Sequence, residues 1–291
     1  MSPPRAKRQQ LAERVRARRL VVAPGVFDMI SLKVADHQGH AALYMTGYGT
    51  VASLLGLPDA GLATYTDMVS RAALMAAGSS APLIADADTG YGGLLNVRHT
   101  VQGYEAAGVA AIQLEDQEFP KKCGHTPGRA VIPQEDMVAK IQVAVEARQD
   151  PDFLIIARTD ARTSLGIDAA IARALAYQKA GADVIFVEAP ESADEFEQIA
   201  QEVDAPLLAN MVDGGRSPVL ESAMLERLGY AIAIYPGLGF MAAAASMDRV
   251  YRYLLDHGTS NGADVALHPI EAMHELMGFQ EVWSFDERWK N

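Results

Sequence analysis

Eight short apolar runs, each separated from the next by a stretch of helical periodicity or a polar loop, constrain this chain more than any other feature. They are Leu20 to Gly25, Ala42 to Gly47, Pro82 to Ala87, Ala110 to Glu115, Phe153 to Thr159, Asp183 to Glu188, Pro206 to Asn210 and Ala231 to Pro236. Continuous Val, Ile and Leu runs too short for buried helices read as strands covered on both faces. Between them the periodicity predicts helices over Thr66 to Ala77, Val97 to Ala107, Gln134 to Ala147, Ile167 to Lys179, Ala193 to Glu202 and Pro218 to Leu228. Strands alternating with helices imply a parallel sheet with helical cover, and about eight such units close a barrel. A (β/α)8 TIM barrel is therefore predicted. An open doubly wound sheet would need a phosphate-binding glycine fingerprint after its first strand, and Ala23-Pro24-Gly25-Val26 is not one.

Core material is ample, since hydrophobic residues make up 49% of the 291, yet the apolar runs stop well short of the ~18 residues of a membrane span. A formal charge of -12 argues against general affinity for nucleic acid or anionic membrane. The single cysteine precludes an internal disulfide and the first residues lack a signal-peptide core, so a cytoplasmic location is expected. The basic opening (Arg5, Lys7, Arg8, Arg14, Arg16, Arg18, Arg19) reads as the solvated face of a first helix whose Leu11 and Val15 point the other way. Residues 1–258 are expected to form the barrel with this N-terminal helix, and 259–291 a helical extension of the same domain. The extension ends in Trp283, Phe285 and Trp289, aromatics that need a cover, which predicts a homo-oligomer packing or exchanging its last helices.

Barrel sites lie at the carboxyl ends of the strands. There the third run supplies Asp86 and Asp88, on one face if the strand persists, and the fourth Glu115 and Asp116. The fifth supplies Arg158 and Asp160, the sixth Glu188, the seventh Asn210 and the eighth Pro236. The second run enters Thr46-Gly47-Tyr48-Gly49, a glycine loop whose amides could approach a bound anion, with Asp59 beyond it. Acids and an arginine gathered in a small volume call for a cation and an anion to neutralise them. Oxygen donors predominate and no HExxH or CxxC spacing occurs, so Mg²⁺, or Mn²⁺, fits better than zinc. The anion opposite Arg158 would be a carboxylate or phosphonate, a small-molecule partner. A lone acid at a strand end can equally be a helix cap or an ion-pair partner, and that reading stays open for Asp116 and Asp160.

After Glu115 and Asp116 the chain turns through Phe119 and Pro120 into Lys121-Lys122-Cys123-Gly124-His125. Cationic neighbours favour thiolate, so Cys123 is expected to ionise more easily than a free thiol. A lone cysteine is usually a small buried hydrophobe, but this setting is too polar for that. Lys121 and Lys122 could be a solvated loop and His125 a structural hydrogen-bonding residue. Lys122 and His125 are kept as supporters of the thiol.

The segments Asp86-Ala87-Asp88-Thr89-Gly90-Tyr91-Gly92, Leu114-Glu115-Asp116-Gln117 and Lys121-Lys122-Cys123-Gly124-His125 resemble the metal-binding segment and lyase signature of the isocitrate lyase and phosphoenolpyruvate mutase superfamily. Ala157-Arg158-Thr159-Asp160, Val187-Glu188-Ala189 and Asn210-Met211 resemble its substrate-binding strand ends, so the likeness covers nearly the whole chain. The cysteine is similar to that of the carbon-carbon lyase branch. The resemblance implies a helix-swapped homotetramer, Mg²⁺, and cleavage of a 2-hydroxy di- or tricarboxylate. Asn210 is followed by Met211-Val212-Asp213-Gly214-Gly215 where methylisocitrate lyases tend to carry Thr-Glu-Phe-Gly, which looks more like the dimethylmalate lyase branch. An apolar Val212 suits an alkyl group better than a third carboxylate. The expected substrate is a 2-alkylmalate such as 2,3-dimethylmalate. The alternatives are 2-methylisocitrate cleavage, oxaloacetate hydrolysis or decarboxylation on the same scaffold and, in another class, a non-catalytic binding barrel.

On that reading Asp86, with Asp88, Asp59 and Glu115 around it, holds the metal. Thr46, Gly47, Tyr48, Gly124, His125, Arg158, Glu188, Asn210 and Pro236 join Asp86 in binding substrate. Cys123 protonates the carbanion left by retro-aldol cleavage, Lys122 and His125 set its pKa, and Glu188 and Arg158 assist. Tyr48 is the candidate base for the substrate hydroxyl. The loop from Glu118 to Arg129 is expected to close over the substrate.

Overall fold

The computed structural model describes residues 3–124, 126 and 128–290, so His125 lies outside the described residues. The strands are β1 (Val21–Val26), β2 (Leu43–Met45), β3 (Leu83–Asp86), β4 (Ala111–Glu115), β5 (Leu154–Thr159), β6 (Val184–Val187), β7 (Leu207–Asn210) and β8 (Tyr230–Tyr235). They close in sequence order into one barrel, with β8 parallel to β1 through Val21 opposite Ile232. All eight apolar runs are strands, each within a residue or two of its expected bounds.

Helices α1 (Pro4–Arg16) and α2 (Met29–His37) flank β1. α3 (Gly47–Leu55) and α4 (Tyr65–Gly78) follow β2, and α5 (Leu94–Ala106) and α6 (Gln134–Ala147) follow β3 and β4. Next come α7 (Ala161–Leu165), α8 (Ile167–Lys179), α9 (Ala193–Glu202) and α10 (Ser222–Leu228), and beyond β8 lie α11 (Leu238–His257), α12 (Ile270–Met277) and α13 (Phe279–Arg288). The α10 helix starts later than the predicted Pro218. Leu220 is buried and its N–H meets Met211 Sδ at 3.2 Å, which ties this segment to the barrel rim ahead of the helix.

Two apolar layers result. One lies between strands and helices; the other fills the barrel with Tyr44, Ile84, Ile156, Phe186, Leu208 and Ile234. Leu11, Ala12 and Val15 of α1 belong to the inner layer beside Val21, Leu154 and Val184, the first residues of their strands. Helix α1 therefore stoppers the amino-terminal end of the barrel. Arg5, Arg16, Arg18 and Arg19 are exposed as expected of a solvated basic face, but Lys7 and Arg8 depart from it. Lys7 is buried and donates to Ala76 O (2.9 Å) and Ser79 O (2.6 Å) at the end of α4, while Arg8 donates to Val109 O at 3.0 Å and to Glu105 O. Helix carboxyl ends leave carbonyls unpaired and attract cations, which supplies the force that draws these two residues in. Arg16 and Arg18 stay at the surface, paired with Asp152 and Asp204.

Helices α11, α12 and α13 bury none of their residues within the chain. Trp283, Phe285 and Trp289 are exposed. Among the described residues no helix is long and apolar enough to cross a membrane.

Candidate active site

Strand alternation explains what stands at the barrel mouth. Inward-facing residues recur every second position, and each inner ladder begins apolar and ends polar: Ile84 then Asp86, Ile156 then Arg158, Phe186 then Glu188, Leu208 then Asn210. Asp86, Glu115, Arg158, Glu188 and Asn210 line one cavity of about 540 Å³, counting its open mouth. Thr46, Gly47 and Tyr48 line it from the start of α3, Asp59 and Pro236 from other connections, and Lys122, Cys123 and Gly124 from above.

Three expectations need correction. Thr46-Gly47-Tyr48-Gly49 is no loop: Thr46 precedes α3 and both glycines lie inside that helix. A Cβ on Gly47 would stand 2.5 Å from Asp86 Oδ2, so glycine is what lets the helix start against the acid. The first-turn amides still lack intrahelical partners, so the anion-binding capacity expected of a loop belongs to a helix amino terminus. Second, Asp86 and Asp88 do not share a continuing strand. β3 stops at Asp86, Asp88 takes a left-handed φ of 48°, and its N–H donates to Asp86 Oδ1 at 3.0 Å. The turn still delivers both carboxylates to the same cluster. Third, the two lysines have different surroundings. Lys122 donates to Gly128 O at 2.7 Å, whereas Lys121 is buried with its ammonium 2.5 Å from Asp59 Oδ1 and 2.6 Å from Asp88 Oδ1.

Lys121 is a site residue that sequence reasoning missed. Burial pushes its pKa down, but Asp88, Glu115, Asp59 and Asp86 outweigh burial and hold it well above its ordinary value. The signal was the pair of lysines itself, since adjacent side chains in an extended segment point opposite ways. Gln117 is the second omission. Its amide accepts from Lys122 N and donates to Lys122 O, both at 2.9 Å, while Cys123 N donates to Asp59 O at 3.2 Å. These bonds fix the backbone on either side of Cys123. Gly124 packs directly on the site, where an added Cβ would strike Arg158 Nη2 and lie 2.9 Å from Glu188 Oε1.

Arg158 forks onto Asp160 through Nε and Nη2, each at 2.9 Å, with Glu115 Oε2 at 3.3 Å from Nη1 and Glu188 Oε2 at 3.9 Å from Nε. Asn210 donates to Glu188 Oε2 at 3.1 Å. Below them Tyr44 donates to Gln113 Oε1 at 2.9 Å, and Gln113 reaches toward Asp86 Oδ1 at 3.4 Å. Tyr48 sits at the rim, 44% exposed, its ring 5.1 Å from that of Phe240. Phe186, Val212, Ile234 and Phe240 give the cavity an apolar wall.

Asp116 has the structural role. Neighbouring residues of a strand face opposite sides, so Glu115 points into the barrel and Asp116 toward the helices. There Asp116 accepts from Tyr177 (2.7 Å), Thr159 (2.8 Å), Asp160 N (2.9 Å) and Arg173 (3.1 Å). Asp160 serves Arg158 as its ion-pair partner.

The acidic cluster is short of positive charge. Burial pushes the carboxyls of Asp86, Asp88 and Glu115 above their ordinary range, Asp88 to about 6, against the pull of Lys121 on the aspartates and Arg158 on the glutamate. Buried Glu115 Oε1 has no hydrogen-bond partner. Among the described residues no three His, Cys, Asp or Glu side chains are drawn together closely enough to hold a metal ion, because Lys121 stands among the aspartates. An all-oxygen donor set with excess negative charge nevertheless fits a hard divalent cation, with Asp59, Asp86 and Glu115 lining the cavity and Asp88 behind Lys121.

Comparison with known proteins agrees with this geometry. The phosphoenolpyruvate phosphomutase family model matches residues 11–255. The chain is 48% identical over 273 residues to 2,3-dimethylmalate lyase of Eubacterium barkeri, covering 94% of each, and 38% identical to 2-methylisocitrate lyase of Halalkalibacterium halodurans, covering 96% of this chain and 93% of the relative. Among solved structures, oxaloacetate acetylhydrolase with 3,3-difluorooxalacetate superposes with a TM-score of 0.92 at 35% identity over 98% of both chains. A 2,3-dimethylmalate lyase structure gives a TM-score of 0.91 at 35% identity, over 99% of this chain and 96% of the other. The chain belongs to the PEP mutase/isocitrate lyase superfamily.

Proposed function

We propose that this protein is a Mg²⁺-dependent carbon-carbon lyase that cleaves a 2-alkylmalate such as 2,3-dimethylmalate to pyruvate and a second carboxylate. The observation carrying this reading is that Cys123 and Gly124 cover a cavity with an acid and arginine cluster on one side and the apolar wall of Val212, Ile234 and Phe240 on the other. The 48% identity to a 2,3-dimethylmalate lyase supports the same substrate class.

When bound by Asp86 and Glu115, with Asp59 and Asp88 adjoining, the cation supplies Lewis acidity that lowers the pKa of the substrate hydroxyl. Arg158, Asn210 and the first-turn amides of α3 hold the substrate carboxylates. Tyr48 at the rim, acting as its phenolate, takes the hydroxyl proton. As the bond between C2 and C3 breaks, C2 becomes the keto carbon and C3 keeps the electron pair. Cys123 then gives its proton to C3, with Lys122 and His125 setting the thiol pKa and Glu188 orienting the group that moves. Thr46, Gly47, Gly124 and Pro236 shape the walls and exclude water.

The apolar wall around Val212 presents no donor to a third carboxylate, so 2-methylisocitrate is the weaker substrate in this reading. Oxaloacetate hydrolysis is the second reading, favoured by the TM-score of 0.92 to oxaloacetate acetylhydrolase. Residues 1–258 form the barrel unit and 259–291 an extension whose exposed aromatics pack on other copies in a cytoplasmic homotetramer. Light scattering of the intact protein would return the mass of a monomer if that assembly is wrong.

The test is Mg²⁺-dependent pyruvate release from 2,3-dimethylmalate, 2-methylisocitrate and oxaloacetate, in parallel with Cys123→Ser. Pyruvate from 2,3-dimethylmalate, reduced at least about 10²-fold in the variant, is expected. Oxalate and acetate from oxaloacetate alone would transfer the function to the second reading.

A further inference from the structure

Arg129 is the last residue of the loop that carries Cys123, one residue before the backbone bond from Glu118 N to Ala130 O closes that loop. Its side chain is 1% exposed, yet it touches neither the cavity nor the acidic cluster. Nη1 donates to Asp160 Oδ1 at 2.5 Å and Nη2 to Thr163 Oγ1 at 2.7 Å on α7. Asp160 Oδ1 is the same oxygen that accepts from Arg158 Nη2 at 2.9 Å, while Oδ2 accepts from Arg158 Nε. One buried carboxylate thus carries two guanidinium groups, and its own position is fixed by Asp160 N donating to Asp116 Oδ1 at 2.9 Å. Burial alone would raise the Asp160 pKa, but Arg158 and Arg129 together hold it below the usual carboxylate range.

Charge decides what this sharing does. Arg158 also faces Glu115 and Glu188. With Arg129 the group holds two cations against three carboxylates; without it, Arg158 alone faces all three, and an incoming anion meets two excess negative charges instead of one. Loss of Arg129 would also leave Asp160 to bind the Nε and Nη2 fork of Arg158 more tightly and draw Nη1, the end Asp160 does not engage, from the cavity.

We propose that Arg129 is a positioning residue for anion binding: by sharing Asp160, it leaves Arg158 the charge and orientation to receive a substrate carboxylate. This rests on the reading that Arg158 receives such a carboxylate. A purely structural Arg129 would fasten the loop to the barrel and affect stability alone.

Calorimetric titration of oxalate into the full-length, Mg²⁺-loaded protein separates these cases. Arg129→Gln is expected to weaken oxalate binding about tenfold, and Arg129→Lys, which keeps the charge but loses the fork, by less. Should Arg129→Gln not fold, the weakening in Arg129→Lys carries the test. In an Asp160→Asn background the Arg129 substitution should have no further effect, because the path runs through that carboxylate. Arg148→Gln breaks a partly buried ion pair with Asp183 near the opposite end of the barrel; it should lower the melting temperature and leave oxalate affinity unchanged. Unaltered affinity in both Arg129 variants, or an undiminished effect without Asp160, would overturn the proposal. Failure of the parent protein to bind oxalate, or full affinity in Arg158→Gln, would instead remove the reading of Arg158, and this inference with it.

Discussion

The ammonium of Lys121 lies 2.5 Å from Asp59 Oδ1 and 2.6 Å from Asp88 Oδ1, so a lysine of the covering loop occupies part of the negative field at the barrel mouth. Removing one partner of a buried ion pair leaves uncompensated charge, typically costing about 3–5 kcal/mol. Lys121→Met should therefore destabilise the metal-free protein by that order. Added Mg²⁺ should raise its melting temperature more than it raises that of the parent, since the cation then has fewer competitors for the same oxygens. Equal Mg²⁺-induced shifts in thermal melts would show that Lys121 and the cation do not share the cluster.

Val212 bears on substrate choice. Replacing it with Asn puts an amide donor on a wall that is otherwise apolar. We expect kcat/KM for 2,3-dimethylmalate to fall by roughly 10- to 200-fold, the range for a changed contact in a hydrophobic pocket, while the preference against 2-methylisocitrate narrows. Competition assays with both substrates would read the ratio directly. An unchanged ratio would place the discriminating contact elsewhere.

Behind the site, Asp116 accepts four hydrogen bonds from Tyr177, Thr159, Arg173 and the backbone of Asp160. Asp116→Ala strands a buried guanidinium and should cost about 3–5 kcal/mol in denaturant unfolding. Asp116→Asn keeps an acceptor and should cost less. If the two variants unfold alike, the carboxylate charge is not what holds this layer.

The capping box of α4 gives a pH-dependent test. Thr64 donates to Asp67 through its hydroxyl (2.6 Å) and its N–H (2.8 Å), and these bonds hold the Asp67 carboxyl below its ordinary value. A depressed folded pKa means stability that is present above the unfolded value of about 3.9 and lost as pH falls through the folded one. Thr64→Ala should cost about 1 kcal/mol at pH 7, with the difference from the parent shrinking below about pH 4. A difference that persists unchanged in acid would assign the cost to the bond from Asp67 N to Thr64 Oγ1, which does not titrate.

The barrel was legible because both faces of every strand are covered, which forces continuous apolar runs, and because the inner ladder turns polar at the same rung on strand after strand. Asp86, Arg158, Glu188 and Asn210 could be found that way. What sequence hides is direction within loops and the fate of long side chains. Lys121 and Lys122 are chemically identical neighbours, and only the hold of Gln117 on the Lys122 backbone decides which ammonium turns inward. Lys7 and Arg8 read as surface residues because, apart from the Asp150 carboxylate beside Arg8, their partners are main-chain carbonyls of Ala76, Ser79, Val109 and Glu105, and backbone acceptors have no sequence signature. Thr46 to Gly49 misled for a related reason. Glycines that loosen a loop in isolation serve here to pack a helix closely, Gly47 against Asp86 and Gly49 against Phe27 and Phe240.

The inner layer, packed from Leu11 and Val15 of α1 up to Phe186 and Ile234, makes the cavity above it a vessel with one door. Nothing passes through that core, so whatever enters past Tyr48 and Phe240 must leave past them. Gly124 rests on Arg158 and Glu188 in that doorway. Traffic is therefore two-way through that single doorway, once for arrival and again for departure. Where passage through it sets the pace, no improvement in the bond-breaking step raises turnover, and solvents that thicken the medium should slow it.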